Sequence, residues 1–211
     1  LETRIHGVES GAENTGFLGG TIANKGGQAV KLVVDNTSLC FVSSHLAPHE
    51  GRKNCDARNA NVSSIMEGSL NWMGKKDMDL GSQYHHCFWM GDMNYRSEVP
   101  SEDGAEMSKE ERHEHVRSLI AQKDWPTLHA YDELSREVAE NRVLCDWTPL
   151  PCDFAPTFKV ERDQTMEKYN PKRLPSYTDR MLVRSMPGYR DSLAHAEFTS
   201  CPEFTSSDHK P

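Results

Sequence analysis

The strongest constraint on this chain is a short apolar strand that ends in glycine and two polar residues. The run 85–94 reads HHCFWMGDMN, and its apolar stretch Cys87–Met90 is followed at once by Gly91. This arrangement is typical of α/β sheets, which carry their chemistry where strands end. The pattern therefore predicts an α/β fold with functional groups at Asp92 and Asn94.

Other segments alternate between strand and helix patterns. The β-branched runs 28–34 (QAVKLVV) and 38–45 (SLCFVSSH) flank a short polar turn, which predicts a β-hairpin. Since the alternation is irregular and contains no repeat, we expect a single α/β sandwich. Helices are predicted at 52–67, in the second half of 97–122 after an acidic loop, and over Pro126–Val138; strands are predicted at 179–184 and 197–205.

Composition excludes several classes of protein. With 36% hydrophobic and 27% charged residues, the chain can bury a core, so it is not predicted to be disordered. Its formal net charge of -8 disfavours a general nucleic-acid binder, and no apolar run approaches the roughly 18 residues of a membrane span. Six cysteines without C-x-x-C spacing predict free thiols in a reducing cytosol.

Asp92 and Asn94 are the first candidate functional pair. Being two residues apart just beyond a strand, they are expected to point the same way. A carboxylate there can take a proton from water, and an amide can donate to a developing oxyanion. An Asx turn that closes the strand is the structural alternative, and it stays open.

Two further segments carry candidate catalytic histidines. His45 ends the second strand of the hairpin, where a lone histidine is more often a hydrogen-bonded core residue than a catalyst. Asp208 and His209 are adjacent, so in an extended strand their side chains face opposite ways and must be directed at different partners. One could serve a metal or a water and the other a phosphate oxygen, although a polar loop remains the alternative.

Asp179 and the residues around it form the last candidate group. Asp179 opens a predicted strand, where its carboxylate could orient an imidazole. Between Lys159 and Arg190, basic residues outnumber acidic ones by eight to four. Such a stretch in an acidic protein suits a compact polyanion, although a solvated loop is the alternative.

Two histidine tracts are not expected to be functional. His85 and His86 alternate faces along a strand and lack the spacing of metal ligands. His113 and His115 lie two apart in a charged helix, where they do not share a face, so we expect solvated surface there.

Several stretches, taken in order, resemble the inositol polyphosphate 5-phosphatases. FWMGDMNYR (88–96) and RLPSYTDRMLV (173–183) resemble the two signature motifs of that family. NKGG (24–27), SSHL (43–46), APTFKV (155–160) and SSDHKP (206–211) resemble further stretches of it. Together they cover nearly the whole chain, which is therefore identified as a partial catalytic domain over residues 1–211.

The resemblance implies the endonuclease/exonuclease/phosphatase fold, a two-sheet α/β sandwich with the active site at one edge. It also implies Mg²⁺ and direct water attack on the 5-phosphate of phosphoinositides, such as PI(4,5)P2 or PI(3,4,5)P3, or of soluble inositol polyphosphates. By position it implies catalytic roles for His45, Asp92, Asn94, Asp179, Asp208 and His209, and substrate contacts for Asn24, Lys25, Lys159, Lys172 and Arg173.

Individual roles also follow from the resemblance. Asp92 is implied to activate or orient water, Asn94 to contact the scissile phosphate, and Asp179 to orient a histidine. His45 and His209 are implied as donors to phosphate oxygens, and Asp208 as a metal ligand. Three positions depart from the family: Tyr177 and Thr178 replace Trp and Cys, and Phe158 replaces a Tyr whose hydroxyl could contact the headgroup.

The chain is also expected to be a piece of a longer domain. The main Mg²⁺ ligands are expected upstream of residue 1, and N-terminal strands and the last strand of the sandwich are expected to be missing. Because missing strands would expose sheet edges, we expect the 211-residue chain by itself to be weakly stable and nearly inactive. The parent protein is expected to be monomeric and cytoplasmic, and to visit membrane surfaces transiently.

Two alternatives stay open. The same carboxylates, amide and histidines would serve a nuclease or another phosphodiesterase of the superfamily, although RLPSYTDR, the basic stretch and the net acidity disfavour DNA. The second alternative is a catalytically inactive module that only binds phosphoinositides, because the main metal ligands are expected outside the chain.

Overall fold

The apolar strand that ends in Gly91-Asp92 lies inside a mixed six-stranded sheet with the strand order β1-β2-β3-β4-β6-β5. The computed structural model describes residues 4–15, 24–101, 107–163, 168–194 and 197–210. The strands are β1 (Ile5–Asn14), β2 (Gly26–Val34), β3 (Thr37–His45), β4 (His86–Asp92), β5 (Thr148–Pro149) and β6 (Asp179–Ser185). The β3–β4 pair is parallel, whereas β1–β2, β2–β3 and β5–β6 are antiparallel.

The chain divides into two compact units, and the sheet belongs to the first. The first unit comprises Leu1–Asn94, Asn141–Leu150 and Arg180–Ala196, and the second comprises Tyr95–Glu140, Pro151–Asp179 and Glu197–Pro211. The chain therefore passes from the first unit to the second directly after the Gly-Asp-Met-Asn turn, and it returns to the first unit twice, at Asn141–Leu150 and at Arg180 in β6.

The predicted hairpin and the helix that follows it are both present. The parallel strands β3 and β4 are connected through helix α1 (Arg52–Ser69), as a parallel pair requires a crossover. Helix α1 packs so closely on β2 that a Cβ on Gly27 would lie 2.6 Å from Ile65. The fully buried side chains of this unit include Ala29, Cys40, Val42, Leu46, Ile65, Cys87, Trp89 and Leu182.

Strand β1 was not predicted from the sequence. Most of its side chains are exposed, and Val8 is 61% exposed, so its sequence lacks the alternation that marks a half-buried strand. The strand is held by its antiparallel pairing with β2, from Ile5 opposite Val34 to Asn14 opposite Gly26. Strand β1 therefore depends on backbone pairing with β2, which a pattern of side chains along the sequence does not reveal.

The helix predicted over Pro126–Val138 is instead two short helices of the second unit. These are α3 (Trp125–Ala130) and α4 (Glu133–Ala139), and they follow α2 (Lys109–Gln122). The predicted helix is interrupted between α3 and α4, where Asp132 is the N-cap of α4. The Asp132 carboxylate accepts a hydrogen bond from the backbone N–H of Ser135 at 2.9 Å. The adjoining Tyr131 carbonyl and Glu133 N–H pair with the backbone of residues 96–98.

The second unit has its own apolar core. Helix α2 begins in a reciprocal capping box between Ser108 and Glu111 and buries Val116 and Leu119. Part of the predicted acidic loop before it, residues 102–106, lies outside the described residues. The buried cluster consists of Val116, Leu119, Leu128, Cys152 and Tyr177, with partly buried aromatic and aliphatic side chains packed around it.

The last part of the second unit is built from extended segments joined by isolated bridges. Phe158 pairs with both Ser176 and His209, and Val160 pairs with Tyr169. The strand predicted at 197–205 is absent, and these residues form turns and irregular backbone instead. The described residues contain one sheet, so the second sheet of the sandwich stays a prediction. None of the described helices is long and apolar enough to cross a membrane.

Candidate active site

The first cluster of predicted site residues lies in the first unit, where β3 and β4 end side by side. The parallel register places His45 directly opposite Asp92. His45 Nε2 lies 3.1 Å from Asp92 Oδ2, and the His45 side chain is half exposed. Two candidates that are 47 positions apart in the sequence are thus brought together by the pairing of two strands.

A tight turn after β4 fixes the Asp92 carboxylate. Gly91 has φ of 119°, and a Cβ there would lie 2.2 Å from the Ser44 carbonyl oxygen, so only glycine fits. Asn94 adopts a left-handed φ of 57°, and its backbone N–H donates to Asp92 Oδ1 at 3.0 Å. The Asx turn considered as the structural alternative is therefore present, and it immobilises the same carboxylate that is the candidate catalyst.

The Asn94 amide is used within this turn. Its Nδ2 donates to Asp92 Oδ2 and to the Leu46 carbonyl, both at 3.1 Å. A direct contact from Nδ2 to a phosphate oxygen would require one of these bonds to open. In this structure the amide holds Asp92 to the chain that leaves β3.

Lys25 completes the first cluster from the start of β2. Its Nζ lies 2.7 Å from His45 Nε2, the same ring nitrogen that faces Asp92. Partial burial lowers the pKa of the Lys25 ammonium, and the negative charge of Asp92 opposes that shift. Asn24 is exposed and lines, with Lys25 and His45, a cavity of about 340 Å³ beside β2 and β3.

The second cluster lies in the second unit and is centred on Asp179 and His209. His209 Nδ1 is 3.1 and 3.0 Å from the two Asp179 carboxylate oxygens. Asp179 Oδ2 also accepts from the Thr157 hydroxyl at 2.5 Å and from the Thr178 hydroxyl at 3.1 Å. The contact expected between Asp179 and a histidine is thus present, while the catalytic role of the pair stays a prediction.

Asp208 faces away from this pair, as expected for residues adjacent in an extended segment. Its carboxylate lies 3.0 Å from Lys159 Nζ and 3.5 Å from an Arg162 nitrogen. Burial alone would raise the pKa of the Asp208 carboxyl, but the hydrogen bond and charge of Lys159, together with His209, lower it overall. The carboxylate is therefore ionised at neutral pH.

Phe158 and Arg96 were not identified as site residues, but Phe158 contacts His209 and Arg96 packs on Phe158. The Phe158 ring is 4.7 Å from the His209 ring, and the Arg96 guanidinium lies 4.6 Å from the Phe158 ring. Both side chains are buried. The only sequence signal for them was their position inside FWMGDMNYR and APTFKV.

Lys172 and Arg173 lie on a loop that is anchored by His113, which corrects the expectation of a solvated histidine. His113 Nε2 lies 3.2 Å from the backbone carbonyls of both Asn170 and Arg173, so this nitrogen carries a proton and donates. The Lys172 backbone N–H donates to the Asn170 side chain at 2.9 Å. Helix α2 thus fixes the loop that carries two of the predicted substrate contacts.

The tract at His85 and His86 lies at the start of β4, as the sequence predicts. His85 Nδ1 pairs with Ser38, whereas His86 Nδ1 pairs with the Ser185 hydroxyl. The two rings therefore have separate hydrogen-bonding partners within the sheet, and they do not form a common ligand set.

The family of the chain follows from a comparison over its full length. Residues 1–211 match the family model described as "Endonuclease/Exonuclease/phosphatase family 2". The chain belongs to this family. Within it, the chain groups with the inositol polyphosphate 5-phosphatase catalytic domains, as the sequence motifs indicated.

Curated members of the family show the relationship in sequence. The chain is 31% identical over 208 residues to the inositol-1,4,5-trisphosphate 5-phosphatase 1 of Schizosaccharomyces pombe, covering 98% of this chain and 17% of that protein. It is also 31% identical over 227 residues to the phosphatidylinositol 3,4,5-trisphosphate 5-phosphatase 1 of Rattus norvegicus, again covering 17% of that protein. The chain thus spans about a sixth of the length of these relatives.

Solved structures show the relationship in fold. The inositol polyphosphate 5-phosphatase domain of SPsynaptojanin, solved in complex with inositol (1,4)-bisphosphate and calcium ion, matches with a TM-score of 0.76 and 27% identity. That match covers 99% of this chain and 54% of the solved domain. The Cimex nitrophorin ferrous NO complex matches with a TM-score of 0.70 at 20% identity, which shows a shared fold alone.

Proposed function

We propose that the protein hydrolyses the 5-phosphate of phosphoinositides or soluble inositol polyphosphates with the help of Mg²⁺. The catalytic groups are His45 and Asp92 of the first cluster and Asp179 and His209 of the second. Relatives at about 30% identity carry the names of 5-phosphatases acting on inositol trisphosphate and on phosphatidylinositol trisphosphate.

The observation that carries the proposal is the position of Lys159 and Arg162 in the second unit. Lys159 directly follows Phe158, whose ring contacts His209, and both cations are paired with Asp208, the neighbour of His209. Hydrolytic groups alone would serve a nuclease equally well. Cations on the same short segment suit a compact polyanion, because Lys and Arg supply charge-assisted donors to phosphate oxygens.

The chemistry required is mainly positioning and charge neutralisation. Phosphate monoesters hydrolyse very slowly in water, and their transition state spreads charge over the non-bridging oxygens. Asp92, held by its Asx turn, is suited to orient the attacking water. His45 and His209 are suited to donate to phosphate oxygens, and Lys25 adds a cation next to His45.

The donors in the chain suit Mg²⁺, which prefers oxygen ligands. Asp208 is the proposed ligand, because its ionised carboxylate supplies oxygen donors next to Lys159 and Arg162, the cations proposed to meet the phosphate. Lys159 and Arg162 contact both of its oxygens here, so metal binding would loosen these ion pairs. When bound, Mg²⁺ would supply positive charge that neutralises the phosphate oxygens.

Partners and location are part of the same proposal. The binding partner is an inositol phosphate headgroup, either free or at a membrane surface that the protein visits transiently. The parent protein would act as a monomer in the cytoplasm and at the periphery of membranes. A net charge of -8 supports a small anionic substrate held by local cations over a nucleic acid.

Phosphate release by the intact protein that contains this chain tests the proposal. Inositol 1,4,5-trisphosphate, vesicles with PI(4,5)P2, vesicles with PI(3,4,5)P3 and a DNA duplex would be supplied separately with Mg²⁺. We expect phosphate release from inositol phosphates, its loss on addition of EDTA, and its recovery with excess Mg²⁺. DNA cleavage without phosphate release would favour the nuclease alternative, and headgroup binding without turnover would favour the inactive binding module.

A further inference from the structure

We propose that Thr157 and Phe158 are positioning residues that hold the imidazole of His209 in a single orientation. Thr157 acts through the Asp179 carboxylate, and Phe158 acts through direct ring contact. The inference rests on the proposed function to the extent that His209 works on the phosphate. It adds two residues that neither the sequence motifs nor the basic cluster assigned to catalysis.

The Thr157 hydroxyl restricts the Asp179 carboxylate. Thr157 is 2% exposed, and its Oγ1 donates to Asp179 Oδ2 at 2.5 Å. The Thr178 hydroxyl donates to the same oxygen at 3.1 Å. Because two donors converge on Oδ2, the carboxylate has little freedom to rotate away from His209.

The fixed carboxylate in turn selects a tautomer of His209. Both oxygens of Asp179 lie within 3.1 Å of Nδ1, and a carboxylate can only accept hydrogen bonds. The proton of the neutral ring is therefore held on Nδ1, so Nε2 accepts a hydrogen bond in the neutral ring and donates one to a phosphate oxygen only in the imidazolium form. A looser carboxylate would allow both tautomers and more than one ring orientation.

Phe158 limits the rotation of the ring from another side. Its ring is 4.7 Å from the His209 ring at an interplanar angle of 40°. Phe158 is only 8% exposed, and the buried Arg96 guanidinium lies 4.6 Å from its ring, so the aromatic side chain has little room to move.

The backbone clamps these side chains in register. The Phe158 N–H and carbonyl pair with the Ser176 backbone at 3.2 and 2.7 Å. The Lys210 N–H donates to the Thr157 carbonyl and the Val160 N–H to the Asp208 carbonyl, both at 3.0 Å. The segment 157–160 is thus tied on one side to 208–210, which carries His209, and on the other to Ser176, close before Asp179.

Variants of Thr157 test the first half of the proposal. Thr157→Val removes the hydroxyl and keeps the shape, whereas Thr157→Ser keeps the hydroxyl. With inositol 1,4,5-trisphosphate and Mg²⁺, we expect Thr157→Val to lower kcat by about 10- to 100-fold with KM changed by less than about 2-fold. Thr157→Ser is expected to restore most of kcat.

Thr127→Val is the matched control, because it also removes a hydroxyl that donates to a carboxylate, that of Asp124 at 2.7 Å. It lies at the start of α3 and is expected to leave kcat near that of the wild type. An equal loss of kcat in Thr127→Val and Thr157→Val, a loss confined to KM, or no rescue by serine would overturn the role of Thr157.

Variants of Phe158 test the second half. Phe158→Leu removes the aromatic face and Phe158→Tyr retains it. We expect Phe158→Leu to lower kcat by about 5- to 20-fold through looser positioning, and Phe158→Tyr to keep kcat within about 2-fold of the wild type. Equal values of kcat for leucine and phenylalanine would contradict the role of the ring.

A measurement without substrate separates this inference from the proposed function. The ¹⁵N chemical shifts of the His209 ring report its tautomer at a pH where the ring is neutral. We expect one tautomer, protonated on Nδ1, in the wild type and in Thr157→Ser, and a mixture in Thr157→Val. If the wild type releases no phosphate, the proposed function fails, and these shifts still decide the positioning role.

If Thr157→Val does not fold, Thr157→Cys replaces it in both measurements, because it has a similar volume, lacks the γ-methyl group and places only a weak thiol donor beside Asp179. A wild-type tautomer and wild-type kcat in the folded Thr157→Cys variant would overturn the proposal.

Discussion

His45 and Asp92 face each other across two parallel strands, with His45 Nε2 3.1 Å from Asp92 Oδ2. This contact depends on the close approach of β3 and β4 at their last residues, where the Leu46 N–H also donates to the Asp92 carbonyl at 3.0 Å. The stability of the turn at Gly91 and the role of Asp92 in the reaction can each be tested by a single substitution.

Gly91→Ala should destabilise the protein strongly. The added Cβ would lie 2.2 Å from the Ser44 carbonyl oxygen, at a φ of 119° that side chains rarely adopt. We expect a loss of about 3 kcal/mol or more in the free energy of unfolding, measured by urea denaturation.

Gly188→Ala is the control for this experiment. Gly188 also has a positive φ, of 86°, but nothing lies within 4 Å of an added Cβ. Its cost should be limited to backbone strain of about 1 kcal/mol. Equal losses in the two variants would mean that the clash with β3 is not the cause.

Asp92→Ala and Arg173→Ala should separate chemistry from binding in the intact protein. Removing Asp92 is expected to abolish measurable turnover while headgroup affinity stays within about 3-fold, because the carboxylate acts on water. Removing Arg173 is expected mainly to raise KM. Steady-state kinetics with titration calorimetry would check both, and a loss of affinity alone in Asp92→Ala would refute the assigned role.

His113→Ala should weaken substrate binding, although His113 lies on a part of helix α2 that was expected to be solvated surface. Its Nε2 donates to the carbonyls of Asn170 and Arg173, so its loss frees the loop that carries Lys172 and Arg173. We expect KM to rise by about 3- to 10-fold with little change in kcat.

His115→Ala on the same helix is the matched control for His113. His115 Nε2 contacts the Tyr131 hydroxyl at 3.1 Å and not the loop. Its KM should stay near that of the wild type. If the two alanine variants gave the same KM, the loop anchor would have no part in binding.

Stability should depend on pH through Asp208 and Lys159. The pKa of the Asp208 carboxyl is lowered in the folded protein, so its contribution is present above the unfolded pKa of about 4 and lost as pH falls through the folded value. Lys159→Met should therefore destabilise the protein at pH 7, and the destabilisation should shrink as the pH falls below about 4. Urea unfolding in EDTA over a series of pH values from 7 downward measures this.

Lys172→Met serves as the control for the pH experiment, because Lys172 is exposed and its described hydrogen bond is made by the backbone N–H. It should show little dependence on pH. A destabilisation by Lys159→Met that is unchanged at low pH would point to lost packing and not to the ion pair.

Local sequence patterns predicted the helices and strands whose own side chains show a clear apolar periodicity. The β2–β3 hairpin, α1, β4 and β6 follow from apolar periodicity and from turn residues at their ends. The break between α3 and α4 was missed because it depends on backbone bonds from residues 96–98 to residues 131–133, far away in the sequence. Strand β1 was missed because pairing with β2, and not burial, maintains it.

The candidate site divides in the same way. Asp92, Asn94 and His45 could be selected from sequence, since polar residues at strand ends and the family motifs mark them. His113, Arg96 and the hydroxyl of Thr157 could not, because each contacts a neighbour that the chain brings close only on folding. The type of a residue indicates the chemistry that its side chain can perform, whereas the group that the side chain contacts depends on how the chain packs.

Motifs and periodicity are local properties, so they were enough to identify the family and the α/β class of this chain. The contacts of His45 with Asp92, of Asp179 with His209 and of Asp208 with Lys159 are known only from the folded chain. The first depends on strand register, which is a property of two paired strands and not of either strand alone, and the other two depend on distant segments that isolated backbone bridges bring together.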